Sequence, residues 1–514
     1  MLAFSHVRFF YQGAATAALS DVSFTIERAQ RVAILGANGS GKSTLARLAN
    51  GLLLPTDGTV CVNGMPTSDG ETLRALRQSC GVVMQNPDTQ IVSTTVFDEV
   101  AFGPQNLGLP VDEIHARVEL ALEAVGLGSK RARDPNSLSG GEKQRLVIAG
   151  VCAMQPDFVV FDEPTSMLDR KGRAEVLSVI KDLQRTDHGI LYITHRLEEA
   201  LDADMVLVLD EGCVLFYDTV AEFERREDLG KRFRVEPAKR QKGRQKGTVH
   251  VSFVSQKTHE SSPFVSSHES SPFVFEQQET ETDTLVLENV SYTYSEGTTF
   301  ECRALEEINL TVQQGSVILV QGPTGSGKST LLRIAAGLLE PTGGTASLKN
   351  AKKTSKIEPG TVGMVFQHPE SQLFAHTVFD DIAFGPRNIG LVSTHDEAVR
   401  VVQEACALVG LDYERFSQRS PFTLSGGEAR RVALAGILAM SPRFMLLDEP
   451  TAGLDAQGYR FVASLINSLA DRGVGVVIVS HDVEFFASLA STVIELSGGK
   501  KVSHSNNGEE KPWR

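Results

Sequence analysis

"RVAILGANGSGKSTLARLANGLL" runs from Arg31 to Leu53, and "SVILVQGPTGSGKSTLLRIAAGLL" from Ser316 to Leu339. Each opens with a short apolar, β-rich run, meets a glycine loop, and continues with apolar residues at helical spacing. That order is strand, glycine loop, helix, and it makes the chain α/β with two phosphate-binding units. Gly36, Gly39 and Gly41, and in the second copy Gly322, Gly325 and Gly327, let backbone amides close around phosphate oxygens, and the helix N-terminus favours negative charge. Lys42 and Lys328 are placed to meet β- and γ-phosphates, and the hydroxyls of Ser43 and Ser329 suit Mg²⁺. Asn38, Thr44, Thr324 and Thr330 lie in the same loops and helix starts and are further candidates for nucleotide contact. A chance glycine-rich turn would not repeat the whole G-x-x-x-x-G-K-[ST] pattern twice in this context.

The two copies are 286 residues apart at Gly36 and Gly322, and other features keep that offset. "LSGGEKQR" starts at Leu138 and "LSGGEARR" at Leu424; "FDEP" places Asp162, "LDEP" places Asp448, and His195 matches His481. Two homologous units follow, with expected bounds 1–220 and 284–505 and a polar tail over 506–514. Between them, 221–283 carries a basic run, the repeated string "HESSPFV" and then clustered acids. Such a composition buries little apolar surface, and a flexible linker is expected there.

Downstream of each glycine loop, "FVVFDEP" and "FMLLDEP" read as buried strands ending in two acids. Asp162 and Asp448 are candidates to hold Mg²⁺; Glu163 and Glu449 sit one residue on and can orient or deprotonate an attacking water. "ILYITH" and "VVIVSH" are buried strands ending in His195 and His481. An isolated histidine there is usually a packing residue, but both lie 33 residues after the acidic Asp, which favours a γ-phosphate contact. Ser139 with Glu142, and Ser425 with Glu428, form S-x-x-E capping boxes before helical patterns. Gly140, Gly141, Gly426 and Gly427 at those helix starts expose amides that an anion could use as well.

The chain has 514 residues and a net charge of −14, which argues against a general polyanion binder, and nucleic acid is not an expected partner. No run of about 18 apolar residues occurs, so no membrane span is expected. The N-terminus lacks a basic region followed by an apolar core, so secretion is not expected either. Six scattered cysteines without a C-x-x-C pair offer neither a zinc site nor a disulfide framework.

The order phosphate loop, Gln85, "LSGGE", "FDEP", "SMLD", His195, repeated in the second half from Gln367 onward, resembles that of ATP-binding-cassette ATPases. The signature reads LSGGE where many members have LSGGQ; Glu still completes the capping box. The resemblance implies an α/β fold of two tandem P-loop NTPase domains, each with a RecA-like core, a helical subdomain and an antiparallel β subdomain, with ATP and Mg²⁺ as cofactors. It also implies a head-to-tail pair, here within one chain. One site would join Lys42, Ser43, Gln85, Asp162, Glu163 and His195 to Ser425 and Gly427. The other would join Lys328, Ser329, Gln367, Asp448, Glu449 and His481 to Ser139 and Gly141. Gln85 and Gln367 match the family's glutamine that senses γ-phosphate and Mg²⁺. Tyr11 and Tyr294 occupy matching upstream positions and look like its adenine-stacking residues, with ordinary core aromatics as the competing reading. Every catalytic position is filled in both halves.

One further repeat lies outside this chemistry. "QNPDTQIVSTTVFDEVAFGPQNLGL" (Gln85–Leu109) and "QHPESQLFAHTVFDDIAFGPRNIGL" (Gln367–Leu391) agree at 14 of 25 positions. The string resembles the ATPases of energy-coupling-factor transporters, which take up vitamins or transition-metal ions. On that resemblance each half docks a transmembrane scaffold subunit, a separate membrane subunit binds the solute, and this chain works at the cytoplasmic face of the membrane without touching the solute. Phe97, Phe102, Phe379 and Phe384 are candidates for the docking area. Competing readings are a soluble tandem ATPase acting on ribosomes and the tandem ATPase of a sugar importer.

Overall fold

The computed structural model describes residues 1–14, 16–166, 168–235, 283–298, 301–350 and 353–506. The chain divides into two compact units, Met1–Glu236 with Thr451–Arg460 and Pro237–Pro450 with Phe461–Arg514.

In the first half, β1 (Leu2–Phe9), β2 (Leu19–Ile26), β4 (Asp57–Val62) and β5 (Met65–Pro66) form an antiparallel sheet in the order β2-β1-β4-β5. A second sheet joins β3 (Arg31–Gly36), β6 (Cys80–Val83), β7 (Phe158–Asp162), β8 (Gly189–Ile193), β9 (Met205–Asp210) and β10 (Cys213–Thr219) in the order β10-β9-β3-β8-β7-β6. All its pairings are parallel except β9 with β10. The sequence dictates the difference between the sheets. β3, β7 and β8 are buried along their whole length, as strands of a parallel sheet covered on both faces are. β1 and β2 mostly alternate buried and exposed residues, as one-sided antiparallel strands do. Between the sheets lies a core that includes Phe4, Phe24, Ile34, Leu48 and Leu209.

A second core holds the helices Val96–Asn106, Val111–Ala124 and Gly140–Cys152 together through Val100, Val118 and Leu146. The second half repeats the plan. β11 (Thr284–Tyr294), β12 (Cys302–Gln313), β14 (Gly343–Lys349) and β15 (Thr354–Ser355) form one sheet, ordered β12-β11-β14-β15. β13 (Val317–Gln321), β16 (Val362–Val365), β17 (Phe444–Asp448), β18 (Gly475–Val479), β19 (Thr492–Ser497) and β20 (Lys500–Asn506) form the other, ordered β16-β17-β18-β13-β19-β20. Its helices Val378–Asn388, His395–Leu408 and Gly426–Leu438 match those of the first half.

The expected linker bound at 221 is corrected. Val220–Arg225 and Glu227–Phe233 are helices, and Phe223, Leu229 and Phe233 are buried against Ala33, Leu35 and Val208. Three aromatic or aliphatic side chains at helical spacing carry this segment into the core, and the first unit extends past them. The remainder of the expected linker, from 236 to 282, lies outside the described residues, as does the tail beyond 506.

The repeated segment has structural reasons for much of its likeness. Thr95 and Thr377 cap their helices, each accepting from the backbone N–H of Asp98 or Asp380 at 3.1 Å. Glu99 accepts the N–H groups of Val92 and Ser93 at 2.9 and 2.8 Å; Asp381 accepts those of Phe374 and Ala375 at 2.9 and 2.8 Å. A Cβ on Gly103 would stand 2.7 Å from Met154, and one on Gly385 2.7 Å from Met440, so glycine sets how closely each helix packs.

Candidate functional site

The glycine loops follow β3 and β13 and lead into the helices Lys42–Ala49 and Lys328–Ala335. Gly41 and Gly327 have φ of 102° and 96°, and a Cβ there would meet the carbonyls of Ala18 and Ala304 at 2.6 and 2.4 Å. Only glycine makes that turn. Lys42 Nζ donates to the carbonyls of Gly36 and Ala37 at 3.0 and 2.9 Å; Lys328 Nζ donates to those of Gly322 and Pro323 at 2.8 and 2.9 Å. Burial pushes the Lys42 ammonium below its ordinary pKa, against the charges of Glu163, Asp455 and Asp162. Asn38 donates its backbone N–H to Asp455 at 2.9 Å and its side-chain amide to the Gly453 carbonyl at 3.1 Å, all within the first compact unit.

Ser43 Oγ donates to Asp162 at 3.2 Å, and a hydrogen bond from Ser329 reaches Asp448. Burial raises both aspartates above their ordinary range, opposed by those serines. A buried carboxylate beside a hydroxyl at the foot of a phosphate loop is a donor set of hard oxygens, and it fits Mg²⁺, which takes one or two protein oxygens and completes its shell with phosphate and water. The phosphate cradle fits as well. Gly39 and Gly325 face open space, and the buried hydroxyls of Ser40 and Ser326 make no hydrogen bond.

Glu163 and Glu449 follow the ends of β7 and β17 with φ of 49° and 48°. Each N–H is bonded to the neighbouring strand, on the Ile193 carbonyl at 3.0 Å and the Val479 carbonyl at 2.9 Å. Non-glycine residues rarely sit there, and such strain persists only where the surroundings enforce it. His195 Nδ1 lies 3.3 Å from Glu163 Oε2, and Gln85 Nε2 donates to that oxygen at 3.4 Å and to Ser166 at 3.3 Å. Burial pushes Glu163 up, but the hydrogen bond and charge of His195 and the charge of Lys42 outweigh it, so its carboxyl stays below the usual range. In the second half the backbone N–H of His481 donates to Glu449 Oε2 at 3.2 Å. The His481 ring nitrogen stands 3.4 Å from Oε1, which accepts no hydrogen bond. Burial pushes Glu449 up to about 7, and Asp482 and Asp448 add to the rise. Gln367 uses its backbone carbonyl, at 2.9 Å, to hold Arg430.

Both capping boxes form. Ser139 and Ser425 accept from the N–H of Glu142 and Glu428, whose carboxylates accept the serine N–H groups at 3.0 and 2.9 Å. Lys130 pairs with Glu142. A Cβ on Gly141 would stand 3.1 Å from Gly172, a tight contact; Gly426 and Gly427 face open space. Tyr11 and Tyr294 are 42% and 37% exposed, which sets aside the ordinary-core reading. Their hydroxyls lie 2.9 and 3.1 Å from Thr44 and Thr330, and Phe9 and Tyr292 pack edge-on against their rings.

The four phenylalanines of the repeated segment divide. Phe102 and Phe384 are each 50% exposed, with Phe374 edge-on to Phe384. Phe97 packs on the helical core and Phe379 is buried under Arg387 and beside His395, so these two are structural. Phe102 lines a groove of about 580 Å³ with Arg74, Arg77, Val151 and Met154. Sequence reasoning missed Ser166, which lies within the quoted "SMLD" but was given no role there.

The family described as ABC transporter matches residues 19–166 and 305–452. An ABC transporter ATP-binding protein of Bifidobacterium longum is 35% identical over 95% of this chain, which spans 64% of that relative's length. One from Caldanaerobacter subterraneus is 33% identical over 94% of this chain and 87% of its own length. A Bacillus subtilis protein named as an HMP/thiamine import ATP-binding protein is 30% identical over 96% and 90%. With both phosphate loops, both strained glutamates and both capped signatures in place, this chain belongs to the ABC transporter family and carries two tandem ATP-hydrolysing cassettes.

Proposed function

We propose that the chain is the energy-coupling subunit of an energy-coupling-factor importer for a vitamin or a transition-metal ion, lying peripherally at the cytoplasmic face of the membrane. The observation that carries this is the half-exposed phenylalanine, Phe102 or Phe384, on the helix just beyond the glutamine of each half. The groove beside Phe102 is apolar at Val151 and Met154, and Arg74 and Arg77 give it a cationic wall. Such a surface suits a short amphipathic helix from a membrane partner. No helix among the described residues is long and apolar enough to cross a membrane, so partners would supply the span and bind the solute. The Bacillus subtilis relative named for HMP/thiamine import supports a vitamin.

In each turnover Lys42 or Lys328 exchanges its loop carbonyls for the β- and γ-phosphates. Ser43 with Asp162, and Ser329 with Asp448, would hold Mg²⁺, which neutralises phosphate charge. Gln85 and Gln367 are proposed to complete that shell and sense its occupancy. Glu163 and Glu449 orient and deprotonate the water; His195 and His481 steady the glutamate and reach the γ-phosphate. Ser425 with Gly427, and Ser139 with Gly141, are proposed to close on the nucleotide of the opposite half, with Tyr11 and Tyr294 against adenine. Closure and release then move the docking helices.

The test is a mild-detergent pull-down of the tagged chain from native membranes, with mass spectrometry. The expected companions are a multi-span scaffold and a small, very hydrophobic membrane protein. Ribosomal proteins, lost at raised salt, would instead favour the tandem ATPase that acts on ribosomes.

A further inference from the structure

Behind the first site lies a buried polar cluster that the chemistry above does not use. Glu199 is 5% exposed, and its carboxylate collects three hydroxyl donors. Thr165 Oγ1 donates to it at 2.9 Å, Tyr192 at 2.8 Å and Thr194 Oγ1 at 2.7 Å. Arg31, fully buried, stands 4.7 Å over the Tyr192 ring and donates to the Glu199 backbone carbonyl at 3.5 Å. A buried carboxylate is costly unless its oxygens are satisfied and a cation is near, and both conditions are met here.

The position of the donors gives the cluster its meaning. Thr165 is two residues after Glu163, at the start of the loop that leads to Ser166. Thr194 immediately precedes His195, and its hydroxyl also accepts the N–H of Arg196 at 3.0 Å. One carboxylate thus clamps the segment that carries the base to the segment that carries its histidine. We propose that Glu199 is a positioning residue of the first site: by holding Thr165 and Thr194 on one carboxylate, it fixes His195 against Glu163.

The second half lacks the clamp. At the 286-residue offset, Arg31, Tyr192, Thr194 and Glu199 become Val317, Ile478, Ser480 and Phe485, all buried. There hydrocarbon side chains replace the guanidinium, the phenol and the carboxylate, while Ser480 and Thr451 keep their hydroxyls, and the histidine side chain is more open: 24% exposed at His481 against 5% at His195. The clamp therefore makes the two sites unequal, with the first held in a preset geometry.

The proposal rests on Glu163 and Glu449 being the bases, and the test separates the two. In full-length protein with Glu449→Gln, only the first site turns over. There Glu199→Ala is expected to lower kcat about tenfold to a hundredfold, the scale for misplaced catalytic groups, with KM for ATP changed less than about twofold. Glu199→Gln, which keeps one acceptor oxygen, should lose less, and Tyr192→Phe less again. In the Glu163→Gln background the same Glu199→Ala change should move the second site's rate by less than about twofold. An equal loss in both backgrounds would make Glu199 a general structural residue and overturn the proposal. An unchanged kcat in the Glu449→Gln background, in protein whose melting temperature shows that it is folded, would overturn it too. If Glu163→Gln with Glu449→Gln still hydrolyses ATP, the assignment of the bases fails, whatever Glu199 does.

Discussion

The two halves share every motif and differ in what surrounds the base. Glu163 meets a histidine ring, a glutamine amide and a lysine charge, and is held in its ionised form. Glu449 also has a lysine charge near and a histidine ring 3.4 Å away, but it accepts a backbone N–H from that histidine, leaves Oε1 without a hydrogen bond and has Asp482 nearby where the first half has Arg196. A catalytic inventory therefore does not describe a site. The same glutamate, at nearly the same strained φ, has a different proton affinity because the matching histidine and glutamine meet it in a different geometry and because Asp482 stands beside only one of the two.

The harshest way to break the comparison is to remove both bases. Glu163→Gln with Glu449→Gln should lower hydrolysis by about a hundredfold or more while retaining ATP, read as nucleotide that stays bound through gel filtration. The single variants then sharpen it. A base must be ionised to work. Glu163, held low, is already ionised in weak acid, whereas Glu449, raised to about 7, ionises only as pH climbs through that value. Mg²⁺ will draw both down, but the order should survive. The rate left by Glu163→Gln should rise with pH across the neutral range, and the rate left by Glu449→Gln should already be on its plateau there. Coincident acid limbs would show that the two surroundings are equivalent.

The phenylalanines allow a second comparison, within one helix. Phe379→Ala removes a buried ring and should cost about 3 to 5 kcal/mol of stability, measured by denaturant unfolding. Phe384→Ala, at an exposed position, should cost about 0.5 kcal/mol or less yet weaken recovery of the membrane partners. The smallest effect concerns Ser166, which gives Gln85 a partner; the second half has Ala452 there. Ser166→Ala removes two hydrogen bonds, that one and the hydroxyl's own to the Glu163 carbonyl at 3.0 Å, each worth about 1 kcal/mol, and should slow the first site a few-fold in steady-state assays with Glu449→Gln.

Much of this was legible in the sequence because it is local. Strand, glycine loop and helix succeed one another without a gap, and S-x-x-E specifies its own hydrogen bonds. The acids of "DEP" and the two histidines came with their strands. What was hidden depends on residues far apart in sequence. In "LEEA", Glu198 is exposed and Glu199 buried, and only the donors on β8 and beyond β7 make the second tolerable. Phe97 and Phe102 lie five residues apart on one helix, and which of them meets the core depends on how that helix sits on Gly140–Cys152. The helices Val220–Phe233 were assigned to a linker because their charged residues outnumber the three that bury.

The carboxylates of Glu99 and Asp381 join two things, since each belongs to a helix and grips the loop before it. In mechanical terms, loop and helix are riveted. A load applied at the exposed ring of Phe374 does not dissipate in slack backbone; it arrives at the first turn of Val378–Asn388, whose far side rests on Gly426–Leu438, the helix that begins at the signature. On the proposed function, stiffness in that short coupling would set how much of a nucleotide's pull leaves the ATPase as displacement, and a rivet of two hydrogen bonds would transmit it without a hinge.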